Sequence, residues 1–284
     1  MWRSALFIPV LEDRFLAKAA TRGADAIILD LEASIAADRK DEARAALPAA
    51  VDLLAGQGMD VLVRINTLWR PAMADIEVTA RTGVRAIVLP DCHTAAEVTA
   101  VDAILSEIEA ERGLAPIGLL PMIESAEGVV NAPAIAAAAP RIVAMTFGIE
   151  DYLTDMEAAP DPDLLTATAL TVAHAARSAG VAPMVVPETL ANLTDLDVFE
   201  AAARRGRAMG STGGFAVHPD QVTRLNRVFS PSEAELVWAT RVVAAATEAE
   251  AEGLGAVRLD DRMIDLPIIL RAQKLLARQG GKQG

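Results

Sequence analysis

The 284-residue chain predicts a (β/α)8 barrel, a TIM barrel, followed by a C-terminal helical extension. Three observations point there. Eight short apolar runs recur through residue 218, and Ala-rich segments long enough for a helix separate them. The runs are rich in Val, Ile and Leu without polar alternation, as parallel strands covered by helices are. Most of them end in a polar or charged residue, and barrel enzymes carry their chemistry at the C-terminal ends of the strands.

In chain order the expected strands are Ser4–Pro9, Ala26–Leu31, Asp60–Ile65, Ala86–Pro90, Gly118–Glu124, Ile142–Gly148, Pro183–Val186 and Gly213–His218. Helical composition and 3.6-residue apolar spacing mark Asp13–Arg22, Ala36–Leu54, Ala72–Arg81, Thr94–Arg112, Ala126–Ala139, Asp163–Ala179 and Asp195–Met209. Gly23, Gly56, Gly83, Gly113, Gly180 and Gly210 follow such stretches, as glycines that end helices do. Beyond the eighth run, Asp220–Phe229, Ser232–Glu252 and Arg262–Arg278 read as further helices, separated by Pro231 and a Gly253–Asp261 loop. Ser232 with Glu235 forms a capping-box pattern. The barrel domain is expected over residues 1–229, a helical extension or lid over 230–279, and a disordered tail over 280–284.

Composition narrows the function. With 39 acidic against 26 basic residues the net charge is −13, and no basic run could track a phosphate backbone, so nucleic acid is not an expected partner. The single cysteine, Cys92, excludes a disulfide framework and a cysteine-rich metal site. No apolar stretch approaches the roughly 18–20 residues that cross a bilayer, and no basic leader precedes the first strand. A cytoplasmic protein without membrane contact is expected.

At the strand ends stand Asp30 and Glu32, Arg64 and Asn66, Glu124, and Glu150 and Asp151. Neighbouring parallel strands lie about 4.8 Å apart, so carboxylates from adjacent rims reach one ion. Glu124 and Asp151, with waters and a substrate oxygen, make the kind of set that holds Mg2+. Gly148 is expected to make a turn tight enough to aim the Asp151 carboxylate inward. Arg64 interrupts an apolar strand and needs an anion. That anion is either Asp30 or Glu32 of the neighbouring strand, or a substrate carboxylate or enolate, which a guanidinium fork suits. His218 before Pro219 is either a catalytic base or a hydrogen-bonded structural histidine. His93 and His174 lack metal-type spacing, and no nucleophile elbow is present.

Seven stretches in order carry a resemblance: Arg3–Pro9, Ile28–Glu32, Val63–Asn66, Ile123–Gly128, Gly148–Asp151, Val217–Val222 and Met263–Pro267. Over nearly its whole length the chain resembles the citrate lyase β-subunit-like branch of the HpcH/HpaI aldolase/citrate lyase superfamily. The resemblance implies a Mg2+-dependent barrel, with Mn2+ as an alternative ion, that breaks or forms a carbon–carbon bond between an acyl-CoA and a 2-oxo acid. The expected substrate is a 3-hydroxyacyl-CoA such as malyl-, citramalyl- or citryl-CoA. The family's metal ligands fall on Glu124 and Asp151, Glu124 also facing substrate, and its substrate-binding arginine falls on Arg64. Its acid/base aspartate, contributed by a neighbouring subunit, falls on Asp265. Asp30, Glu32, Asn66 and Glu150 are expected to support these groups. The enolate charge would be stabilised by Arg64.

The chain also departs from the family pattern. Ala33 stands where an acidic residue is common, Asp91 and Gly214 where lysines are frequent, and Met184-Val185-Val186 in place of Ala-Ile-Asp. Thioesters are therefore expected to bind weakly or through other basic residues, such as Arg14, Lys18, Arg22, Arg39 and Lys40. Three alternatives stand beside the lyase: an aldolase using a free 2-oxo acid, an acyl-CoA thioesterase, and a non-catalytic binding subunit. Met263, Ile264, Leu266, Ile268, Ile269 and Leu270 form a run too apolar for a free surface helix. Burial against another subunit, in a homotrimer or a dimer of trimers, would cover it.

Overall fold

The structure, a computed structural model, describes residues 1–251 and 256–280. Clustering of the chain gives two compact units, Met1–Val228 and a second beginning at Phe229.

The first unit is an eight-stranded parallel sheet wound into a barrel. Its strands are β1 (Ser4–Pro9), β2 (Ala26–Asp30), β3 (Asp60–Arg64), β4 (Val84–Leu89), β5 (Gly118–Ile123), β6 (Ala144–Phe147), β7 (Ala182–Met184) and β8 (Gly214–Ala216). They pair in the order β7-β6-β5-β4-β3-β2-β1-β8. Between β7 and β8 the gap is stitched by Ser211, 2% exposed, whose hydroxyl accepts from Val185 N at 2.9 Å and lies 3.1 Å from the Pro183 carbonyl. The Thr212 amide adds a main-chain bond across the same gap, donating to the Pro183 carbonyl at 2.8 Å. Ala5, Ile28, Leu62, Val88, Leu120, Met122, Met184 and Phe215 belong to one buried cluster, so the barrel is packed rather than hollow below its rim.

Helices α1 (Asp13–Leu16), α2 (Lys40–Gly56), α3 (Trp69–Thr79), α4 (Ala95–Arg112), α5 (Ala126–Ala136), α6 (Ile149–Asp155), α7 (Pro162–Ser178), α8 (Leu196–Ala208) and α9 (Pro219–Phe229) follow their strands. The expected first helix is only a turn, continued by a 3-10 turn at Ala19–Arg22. Short α6, for which the sequence predicts no helix, follows the sixth strand, and Glu150 and Asp151 occupy its first turn. The capping box expected at Ser232 is present, Ser232 N donating to Glu235 Oε2 at 2.8 Å and Glu235 N to Ser232 Oγ at 3.3 Å, and a further one pairs Thr94 with Glu97 at the start of α4.

The second unit contains α10 (Glu233–Ala251), the antiparallel strands β9 (Val257–Leu259) and β10 (Arg262–Ile264), and α11 (Leu266–Gly280). The hairpin corrects the expected loop and the expected helix start at Arg262. Asp260 and Asp261 both take positive φ, 48° and 58°, the conformation a two-residue I′ turn demands, and Leu259 pairs with Arg262. Asp265 then precedes α11, its carbonyl accepting from the Ile268 and Ile269 amides. Of the apolar run at 263–270, Ile264 is buried in this unit's own core with Ala239, Val242 and Ala272, and Ile268 and Ile269 pack against it. Met263, Leu266 and Leu270 remain exposed. Gly280 closes α11, and the rest of the expected tail lies outside the described residues. No helix among the described residues is long and apolar enough to cross a membrane.

Candidate active site

The C-terminal ends of the strands surround a cavity of about 850 Å³. Arg64, Asp30, Glu124, Glu150, Asp151 and His218 all line it.

Register brings the first pair together. Asp30 on β2 stands opposite Arg64 on β3, and the guanidinium grips it with two hydrogen bonds, Nε to Oδ1 at 2.7 Å and Nη2 to Oδ2 at 2.8 Å. Glu32 Oε2 lies 3.2 Å from Nη1, and the Phe7 ring sits 4.6 Å under the guanidinium carbon. Of the two anions expected for Arg64, the internal one is therefore engaged, yet Arg64 still borders the cavity. A guanidinium has five N–H donors, so two bonds to Asp30 leave others for a ligand. Burial works to raise the Asp30 carboxyl, but the Arg64 fork and Ser34 outweigh it and hold the group below its ordinary range. Burial lifts Glu32 in the opposite direction, with Arg64 opposing and Asp30 adding to the rise.

Glu124 is the buried acid of the site, 5% exposed. Its Oε2 accepts from the Asp91 amide at 2.7 Å, while no described residue donates to Oε1. Burial pushes its carboxyl up to about 7; the Asp91 amide opposes that, and the Asp151 charge adds to it. Asp151 itself is exposed, and its carboxylate has no hydrogen-bond or ion-pair partner among the described residues. A buried carboxylate lacking a full counter-charge, next to a second free carboxylate, fits a hard cation. Among the described residues no group of three or more His, Cys, Asp or Glu side chains could hold a metal. Two carboxylates with open positions would suit Mg2+ better than Zn2+. Gly148 corrects an expectation here. Its φ of −96° is ordinary extended backbone, so a tight turn is not the reason for glycine.

The remaining expected residues divide. Glu150 accepts a hydrogen bond from the Thr189 hydroxyl. Asn66 turns away from the cavity: its Nδ2 donates to the Leu31 carbonyl at 3.0 Å and to Asp75 at 2.6 Å, tying the β2 end to α3. Asp265 belongs to the second unit, is exposed, and accepts weakly from Ile268 N at 3.4 Å through Oδ1. His218 is exposed and lines the cavity, and its Nδ1 accepts from Asp220 N at 3.2 Å at the start of α9. Sequence reasoning missed two supports. The Asp91 amide reaches Glu124 because Asp91 adopts φ 44°, a conformation no local pattern announces. Lys40, expected among the basic residues that could bind a thioester, instead donates to the Leu31 and Glu32 carbonyls at 2.8 and 2.6 Å.

A parallel barrel with carboxylates and the Asp30-bound Arg64 converging at its mouth is the architecture of a barrel enzyme, and comparison with known proteins makes the class specific. Residues 3–219 match the family model HpcH/HpaI aldolase/citrate lyase. The chain is 34% identical over 280 residues to citrate lyase subunit beta of Leuconostoc mesenteroides subsp. cremoris, covering 96% of this chain and 92% of that protein. It is 35% identical over 282 residues to the (3S)-malyl-CoA thioesterase of Cereibacter sphaeroides, covering 98% and 94%. Among solved structures, CitE from Mycobacterium tuberculosis in complex with magnesium, acetoacetate and coenzyme A superposes with a TM-score of 0.74 at 28% identity, covering 98% of this chain and 97% of that one. The chain belongs to the HpcH/HpaI aldolase/citrate lyase family, in its citrate lyase β-subunit-like branch, and is an enzyme of that lyase class.

Proposed function

We propose that the chain is a Mg2+-dependent carbon–carbon lyase that cleaves a 3-hydroxyacyl-CoA of the malyl, citramalyl or citryl type into an acyl-CoA and a 2-oxo acid, or runs the reverse condensation. The observation that carries this reading is the buried Glu124 carboxylate, with Oε1 free of protein donors and Asp151 near enough to repel it. Glu124 and Asp151 would hold the ion, and Mn2+ would suit the same oxygens. When bound, the ion supplies Lewis-acid polarisation and a fixed charge for the 2-oxo acid half.

The protein's own groups do the rest. Cleavage leaves an electron pair on the acyl α-carbon, delocalised onto the thioester oxygen. Arg64, held rigid by Asp30 over Phe7, directs its remaining N–H donors at that oxygen. Asp265 moves the proton at the acyl α-carbon, presented by another copy of the chain in a homo-oligomer, a trimer or hexamer. Exposed Met263 and Leu266, flanking Asp265, support such a contact. The buried free thiol of Cys92 agrees with a reducing compartment, the cytoplasm.

A second reading, an aldolase acting on free acids, draws on one observation: among the described residues, Arg22 and Arg64 are the Lys or Arg side chains lining the cavity, against six carboxylates. Resemblance to a thioesterase keeps thioester hydrolysis after cleavage as a variant. Purified protein with Mg2+ should be assayed on malyl-, citramalyl- and citryl-CoA and on the corresponding free acids, following free thiol and 2-oxo acid together. Release of 2-oxo acid without thiol supports the lyase, and release of both the thioesterase variant. Cleavage of free acids alone favours the aldolase. Inactivity on all of them leaves the non-catalytic subunit.

A further inference from the structure

We infer that the 2-oxo acid half of the substrate is a monocarboxylate bearing a short alkyl group, of the pyruvate class, and not a dicarboxylate such as oxaloacetate. This rests on the lyase reading above and narrows it from three thioester types towards the citramalyl type.

The argument starts from the strand faces. Residues two apart on a strand share a face. Met122 on β5 and Met184 on β7 face the cavity, as do Glu124 and Val186 two residues beyond each. Phe215 and Phe7 complete the wall, their rings meeting edge to face at 5.4 Å. The polar exception, Thr146, donates its hydroxyl hydrogen to the Met184 carbonyl at 2.8 Å, so it offers no donor to a ligand. A group held at Glu124 thus rests on sulfur, methyl and aromatic surface.

Charge gives the same answer. A cation at Glu124 and Asp151 would satisfy one substrate carboxylate. A second carboxylate needs another cation, and the lining offers Arg64, Arg22 and His218, the last already facing the Asp220 carboxylate at 3.5 Å. Arg64 is forked onto Asp30 and faced by Glu32, and its remaining donors serve the thioester oxygen. Arg22 is exposed, where an ion pair contributes little. Around them Glu150 and Glu188 add negative charge that neither Arg64 nor the cation would offset, and this repels a second anion. Nor can a cationic side chain enter from β8 at residue 214. A Cβ on Gly214 would lie 2.6 Å from Val186 Cγ2 and 3.1 Å from Leu225 Cδ2. An unpaired carboxylate against this wall is strongly disfavoured, whereas each methylene buried there strengthens binding about fourfold.

Calorimetry in saturating Mg2+ should compare glyoxylate, pyruvate, 2-oxobutyrate and oxaloacetate, alongside cleavage of malyl-, citramalyl- and citryl-CoA. Pyruvate should bind about fourfold tighter than glyoxylate and roughly tenfold or more tighter than oxaloacetate. Citramalyl-CoA should exceed citryl-CoA in kcat/KM by a similar factor. Val186→Arg should shift the pyruvate-to-oxaloacetate ratio towards oxaloacetate by roughly tenfold, while Val186→Leu should leave the order unchanged. Oxaloacetate binding as tightly as pyruvate, or citryl-CoA proving the better substrate, overturns the inference while the lyase reading stands. Pyruvate preferred over oxaloacetate with no thioester cleaved supports the apolar wall and sinks the lyase reading instead. No binding of any acid sinks both.

Discussion

Gly148 and Glu124 occupy adjoining space at the mouth of the barrel: a Cβ on residue 148 would lie 2.7 Å from Glu124 Cγ and 2.8 Å from Cδ. The backbone there is ordinary, φ −96° and ψ 117°, so glycine is required for room and not for conformation. Gly148 N also donates to the Ile123 carbonyl at 2.9 Å, fixing the approach of β6 to β5.

Gly148→Ala should therefore displace the Glu124 carboxylate without straining the main chain. Misplacement of a reacting group by about an ångström lowers rates on the order of 100-fold. The expected outcome is a large fall in kcat/KM and in Mg2+ affinity, with a melting temperature close to wild type. A variant that keeps wild-type kinetics and Mg2+ affinity would mean that Glu124 does not depend on this contact.

The raised carboxyl of Glu124 makes a pH prediction for the metal-free protein. Its ordinary value of 4.5 rises to about 7 in the fold, chiefly through burial. A folded-state value above the unfolded one adds stability that is fully present below pH 4.5 and is lost as pH rises through about 7. In EDTA the melting temperature should fall between pH 5 and 8, and Glu124→Gln should flatten that fall. Mg2+ must displace the proton, so its affinity should rise with pH up to about 7 and level off above it. Calorimetry across this range reads both effects; pH-independent Mg2+ binding would contradict the assignment.

Arg64 and Asp30 carry a separable pair of effects. Asp30 is 2% exposed, and removing one member of a buried pair costs about 3–5 kcal/mol. Asp30→Asn should lower the melting temperature strongly. Because the Asp30 carboxyl is held below its ordinary value of 3.8, its contribution is present above that pH and is lost as pH falls through the folded value. The variant should thus lose the acid limb of the stability curve below about pH 4. Arg64→Lys keeps a charge for Asp30 but not the fork, so kcat should drop on the order of 100-fold with a smaller thermal change. A destabilised Arg64→Lys protein with unchanged kcat would reduce Arg64 to an internal partner.

The barrel was legible because its strands are short, buried and built from Val, Ile and Leu, a pattern that needs no tertiary information. The Asp30–Arg64 pair was half legible: adjacent strands and strand-end positions bring the residues close, but only the observed register makes them direct neighbours. Three features left no mark. Helix α6 runs only from Ile149 to Asp155, too short for a period to emerge. The Asp260–Asp261 turn uses positive φ at two aspartates, and the strands on either side have three residues each. The Asp91 amide on Glu124 is a backbone donor contributed across 33 positions, and composition carries no trace of it. Asn66, placed at a strand end with its neighbours, looked like a site residue, whereas buried Asp75 draws its side chain towards α3.

Assembly is tested through Asp265. It lies in the second unit, between β10 and α11, while Glu124 lies on the barrel of the first. Met263 is 73% and Leu266 62% exposed, an apolar surface on either side of a carboxylate that water alone would cover poorly. If a neighbouring copy covers it, each working site combines Glu124 of one chain with Asp265 of the next. Asp265→Ala and Glu124→Ala proteins should each be inactive. Mixed in equal amounts and allowed to exchange subunits, they should recover about a quarter of the wild-type activity, since half the barrels keep Glu124 and half their neighbours keep Asp265. Single-chain use of Asp265 predicts no recovery, because every chain then carries one defect. Sedimentation of the wild type at assay concentration supplies the second measurement: a monomer that is fully active would remove the shared site, whatever the mixture does.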